Sequence, residues 1–162
     1  MADDSFLGQD LDLGFLADEA SRTMAGPFTQ VDLQAKPREG VSPRAMDLAV
    51  VQGRANLVQS LIMRLMTEQG ELAGLGHPAY GSRHHLLVGE PNTENNRNLI
   101  KLYVLECLRQ EPRLAGIEKI EVRPGEGREN RDKVVIHIIA AIKGSPDSLS
   151  LVVPFSFTGG VG

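Results

Sequence analysis

The chain predicts an α+β fold: two main helices packed on a small antiparallel β-meander, with an extended N-terminal arm. Apolar residues recur at helical spacing over 53–66 and again over 94–110, and beyond residue 116 the apolar period drops from about 3.6 to about 2. Between the two helical runs, residues 70–91 hold five glycines and two prolines, the composition of a shaped loop.

Its 162 residues, 41% hydrophobic and 23% charged, suit one domain able to bury a real core. Aromatic residues make up 4% and Trp is absent, so the core must be aliphatic and a ligand-stacking site is not expected. The net charge of −4 is uneven, since residues 1–40 carry 8 acidic and 3 basic side chains against 13 and 14 in the remainder. Nucleic-acid binding is therefore disfavoured. The single Cys107 forms no internal disulfide, and no apolar run follows a basic start, which fits a reducing cytoplasm. No apolar stretch is long enough for direct membrane insertion.

Residues 1–45 form the expected acidic arm, extended or partly disordered, and 46–162 the domain. The arm mixes Gly, Pro and Asp with apolar clusters such as Phe6-Leu7, Phe15-Leu16 and Phe28, which favour docking onto something over true disorder. From Gly53 to Met66, Leu57, Leu61, Ile62 and Leu65 form one face, while Arg54, Asn56, Gln59 and Arg64 take the others. The helix stops near Gln69-Gly70, where glycine supplies a left-handed conformation. Residues 70–91 follow as a compact loop shaped by Gly70, Glu71, Pro78, Tyr80 and Gly81, with a short turn at Ser82 to Val88. Asn92 or Thr93 caps the second helix, whose stripe of Leu99, Ile100, Leu102, Tyr103, Val104, Cys107 and Leu108 is wide enough to meet both the first helix and a sheet. Pro112 ends it at Glu111.

Three strands are expected next: Ile117 to Arg123, the nearly continuous apolar run Lys133 to Lys143, and Ser148 to Thr158. Short connections make them a meander with the apolar second strand central, and Pro154, lacking an N–H, puts the third at an edge. Leu149, Leu151, Val153, Phe155 and Phe157 share one face of that edge strand, which precedes a glycine-rich tail at Gly159-Gly160. Its side chains can face inward while its backbone stays open to a partner strand.

No catalytic residue, metal site or cofactor is expected. Glu71, Glu90, Glu106 and Glu111 are available for paired-acid glycoside hydrolysis, but neither an aromatic-lined sugar groove nor a second lobe accompanies them. His77, His84, His85 and Cys107 lack the regular spacing of a tetrahedral zinc site. His137 falls on the central strand as a half-buried, satisfied histidine.

Gly53-Arg54-Ala55-Asn56-Leu57, Arg64-Leu65-Met66-Thr67 followed by Gly70-Glu71-Leu72, His77-Pro78-Ala79-Tyr80-Gly81-Ser82-Arg83, Pro91-Asn92-Thr93 and Glu111-Pro112-Arg113 together resemble the baseplate wedge and sheath-initiator family. That family serves contractile-tailed phages, type VI secretion systems and contractile injection particles. The resemblance covers residues 48–158. It implies a structural protein, part of a phage-tail-like particle assembled in the cytoplasm, with six copies around a tail axis. The implied partners are baseplate wedge proteins and sheath subunits, with the inner tube or spike hub as a further neighbour. Glu111, Pro112 and Arg113 would face the wedge's core bundle. The final strand would pair with the first sheath ring. Members can also be labelled lysozyme-like, so a peptidoglycan hydrolase of the tail baseplate is the alternative from another class. The chain departs from the family pattern at His84, where relatives more often carry leucine, and its acidic arm exceeds the minimal domain.

The same turn also admits an internal pairing, with Arg113 locked to Glu71 or Glu106.

Overall fold

A computed structural model describes residues 4–13, 33–37 and 46–158. The apolar clusters Phe15-Leu16 and Phe28, like the Gly159-Gly160 tail, lie outside the described residues. Four short strands open the chain, β1 (Gln9–Leu11), β2 (Ala35–Pro37), β3 (Met46–Leu48) and β4 (Val50–Gln52). Helices α1 (Gly53–Met66) and α2 (Glu94–Leu108) follow, and then β5 (Leu114–Pro124), β6 (Lys133–Ile142) and β7 (Ser148–Ser156). This is the expected α+β architecture, and the long strands form an antiparallel sheet in the order β5-β6-β7.

The apolar second strand is central, as its composition required. Its two faces differ, however: Val134, Ile136, Ile138, Ala140 and Ile142 are buried, whereas Val135, His137, Ile139 and Ala141 on the other face are half-buried. Among the described residues only one face of the sheet meets helices, where Leu57, Leu61, Ile62, Leu65, Ile100, Val104 and Leu108 complete an aliphatic core.

Helix α2 is capped by Thr93, whose side chain accepts from the Asn96 N–H, as a first-turn donor needs. Its apolar stripe is narrower than expected, because Leu99 is 37% and Leu102 46% exposed. Helix α1 ends at Met66, before the expected stop, and Thr67 leaves it in extended conformation. The left-handed Gly70 (φ 95°) belongs to the turn beyond.

Asn56 and Gln59, expected on outer faces of α1, are buried instead. They clamp the N-terminal segment: Asn56 Nδ2 donates to the Leu7 carbonyl at 2.9 Å, and Gln59 accepts from the Leu13 N–H at 2.9 Å while donating to the Leu11 carbonyl at 2.7 Å. Pairing of β1 with β4 extends this strap, and Leu7 is fully buried in the core. Short strands with no alternating burial leave no period to detect, which is why the sequence did not announce them.

Candidate functional site

Glu111, Pro112 and Arg113 form the tight connection between α2 and β5. The Glu111 N–H donates to the Leu108 carbonyl at 3.1 Å, the Leu114 N–H donates to the Glu111 carbonyl at 3.2 Å, and the Lys143 N–H donates to the Arg113 carbonyl at 3.0 Å, so the turn is held at both ends. Within it, Arg113 Nε donates to Glu111 Oε1 at 2.6 Å, and Arg113 Nη1 reaches back to the Leu7 carbonyl at 3.0 Å.

Glu111 is buried, and its other oxygen lies 3.7 Å from Arg64 Nη2. Burial pushes its carboxyl pKa up, but the hydrogen bond and charge of Arg113 and the charge of Arg64 outweigh that and hold it below the usual carboxylate range. The expected internal lock therefore exists with a different acid. Glu106 pairs with Arg83, and Glu71 accepts from the Glu68 N–H at 3.2 Å, leaving neither for Arg113.

Arg64 belongs to the Arg64-Leu65-Met66-Thr67 run but is not among the site residues expected from the sequence. Its guanidinium lies 4.5 Å from the centre of the Tyr80 ring, a stacking contact that ties α1 to the loop. Burial raises the Tyr80 pKa, which keeps the phenol neutral beside these charges. Arg64 directly precedes Leu65 of the buried face, and that adjacency was the available clue.

The loop-shaping residues come together around the end of α1. A Cβ at Gly81 (φ 100°) would meet the Thr67 carbonyl oxygen at 2.6 Å, so only glycine lets the loop pass. Beside it the Ser82 N–H donates to the Thr67 carbonyl at 2.9 Å, and the Gln69 N–H donates to the Ser82 carbonyl at 3.2 Å. Tyr80 sits in the turn after Pro78, its N–H donating to the His77 carbonyl at 3.2 Å. His84, where the family pattern favours leucine, is buried with Nδ1 2.8 Å from Ser82 Oγ and its ring edge-on to Phe155.

The final strand lies about the same core, at the far edge of the sheet from the turn. Leu149, Leu151, Val153 and Phe157 are buried and Phe155 half-buried, so this apolar face serves the domain's own interior. The backbone is a separate matter. The Phe157 N–H donates to the Asp132 carbonyl at 2.7 Å, and antiparallel pairing alternates from there. Residues 149, 151, 153 and 155 thus turn their backbone groups to β6, while Ser150, Val152 and Pro154 turn theirs to the edge. At its start Arg54 Nη2 covers the Ser148 carbonyl at 2.9 Å.

Among the described residues no group of His, Cys, Asp and Glu could hold a metal ion. Cys107 is buried, and burial pushes its thiol up to about 11, the opposite of an activated nucleophile. No described helix is long and apolar enough to cross a membrane.

The fold is thus a helix pair on a three-stranded antiparallel meander, with the Glu-Pro-Arg turn joining α2 to β5. A family model described as baseplate wedge protein gp25 matches residues 51–147, and the chain belongs to that family. Membership makes it a structural component of a phage-tail-like baseplate, assembled with other baseplate proteins. The chain is also similar to a solved structure, provisionally named a tail lysozyme, from Geobacter sulfurreducens. The two share 26% identity and a TM-score of 0.52, over 60% of this chain and 85% of the other. No curated protein was found to match.

Proposed function

We propose that this baseplate protein links the wedge core bundle to the first sheath ring and initiates sheath assembly, without catalysis. The contrast between the two sheet edges carries the sheath side. β5 is interrupted by two register shifts and bears Lys119, Glu121 and Arg123, which are devices that discourage strand pairing. β7 runs in unbroken register and has no charged residue from Ser148 to Ser156. An uncharged, regular edge suits strand addition, where backbone hydrogen bonds supply the affinity. On the wedge side, the Glu111, Pro112 and Arg113 turn is rigid, and Arg113 together with Arg64 of α1 sets two guanidinium groups against one carboxylate, an excess charge that suits an acidic partner.

Val152→Pro tests the sheath contact, because the lost N–H points to the open edge and not to β6. The expected result is a folded variant that enters baseplates and leaves them unsheathed. Full-length sheaths on such baseplates would end the proposal.

The name of the Geobacter protein favours a second reading, a peptidoglycan hydrolase. The most buried of the acids considered, Glu111, is held below its usual pKa, whereas a glycosidase acid must be raised. Glu71→Gln and Glu106→Gln should each leave any lytic activity of a purified preparation unchanged. Loss of a robust activity in either would favour the hydrolase.

A further inference from the structure

Along the seam between α2 and β5 run two clefts of about 350 and 290 Å³ that share Leu105 and Ile117 and so form one groove. Glu111 lines one end, which makes the groove continuous with the proposed wedge-facing turn. Its walls are mixed: Leu102 and Leu105, one helical turn apart on α2, and Ile117 and Ile120 of β5 supply an apolar stripe, and Lys101, Arg109, Glu118 and Lys119 also line it. Over the exposed Gly116 a Cβ would meet nothing within 4 Å, so one end of the groove is open space.

We infer that this groove receives an amphipathic α-helix with acidic residues along its flanks, contributed by a neighbouring baseplate protein. The inference rests on the wedge-side proposal and adds the chemistry of the partner. A strand is the wrong occupant, since β5 has an extra residue at each of its two register shifts and ends in Pro124, breaking the ladder a strand would copy. A helix instead reads side chains, and the spacing of Leu102 and Leu105 offers it a ridge.

The rim sets the charge. Lys101 on α2 and Arg109 at its C-terminal cap stand about two turns apart, and among the described residues neither has an acidic partner; Lys101 Nζ donates only to Asn98 Oδ1 at 3.2 Å. Of the acids lining the groove, Glu111 is paired with Arg113, and Glu118 accepts from the Ser148 hydroxyl at 2.6 Å but keeps its charge, so two cations stand against one unbalanced carboxylate. Acidic flanks on the incoming helix would meet the two free cations.

Gly116→Phe adds a ring to the lining of the groove at a position outside the turn and outside β7, where the new Cβ meets nothing within 4 Å. In the full chain, its melting temperature should stay within about 3 °C of the parent, while recovery in purified baseplates falls at least tenfold, about 1.4 kcal/mol. Separately, p-benzoylphenylalanine in place of Leu102 should crosslink, in assembled particles, to a peptide of another baseplate protein with helically spaced apolar residues and flanking Asp or Glu. Normal recovery of Gly116→Phe, or a crosslink to this chain's own arm, to a second copy or to a sheath subunit, would overturn the groove assignment alone. Absence of the parent chain from baseplates would remove the wedge-side proposal and this inference together.

Discussion

Arg113 holds the carbonyl oxygen of Leu7 at 3.0 Å, joining the Glu-Pro-Arg turn to a segment at the other end of the chain. The same guanidinium satisfies the buried Glu111, so one side chain serves both the turn and the N-terminal strap. A contact surface at this turn is consequently part of the folding core and cannot be altered without cost to it.

Arg113→Ala should destabilise the isolated domain by about 3 kcal/mol, because it leaves Glu111 buried with only Arg64 at 3.7 Å for a counter-charge. Arg113→Lys should lose less, keeping the charge but not the forked geometry. Urea denaturation of the purified chain measures both. An Arg113→Ala variant as stable as the parent would mean the pair is not buried in solution.

Leu7→Ala should cost about 2–5 kcal/mol, as expected for a large side chain removed from a core, since Leu7 is 0% exposed. An arm that only brushes the surface would instead show no change in the denaturation midpoint.

Stability should fall on acidification through His84. Burial, with a smaller contribution from neighbouring His85, lowers its pKa from 6.5 to about 3. Below 6.5 the unfolded chain takes up a proton that the folded one refuses, so stability is complete above that pH, declines between 6.5 and about 3, and levels off beneath. The loss from this group should reach about 2 kcal/mol by about pH 5. His84→Leu should abolish that part of the slope, read as the difference between the two pH series. Parallel series would place His84 in contact with water.

Gly81→Ala and Gly116→Ala make a matched pair. The first needs a positive φ and drives a Cβ against the Thr67 carbonyl oxygen, while the second meets open space. A loss of about 1–3 kcal/mol is expected for Gly81→Ala, and a neutral or slightly stabilising effect for Gly116→Ala. Equal melting temperatures for the two would contradict the loop geometry.

Leu151→Pro and Val152→Pro should separate fold from edge. Leu151 turns its N–H to β6, so its replacement breaks a ladder bond and should cost about 3 kcal/mol or more. Val152 turns its own outward and should cost clearly less. Thermal melts of both chains decide the register.

The elements governed by local repetition were determined by the sequence itself. Helix α1 begins at Gly53 and covers the apolar spacing up to Met66, although it ends short of the stop expected near Gln69-Gly70, and the meander has Lys133–Ile142 at its centre, because helical and strand periods are properties of neighbouring residues. The family could also be named from motifs in their order along the chain. Tertiary structure alone decided where the charges and the arm went. Glu111 could have met Arg64, Arg113 or a partner, and it takes both arginines because burial leaves no water to replace them. Leu7 shares no period with the core it enters; the buried amide of Asn56 and the guanidinium of Arg113 draw its carbonyl in, and those donors come together only once α1 and the β5 turn are packed.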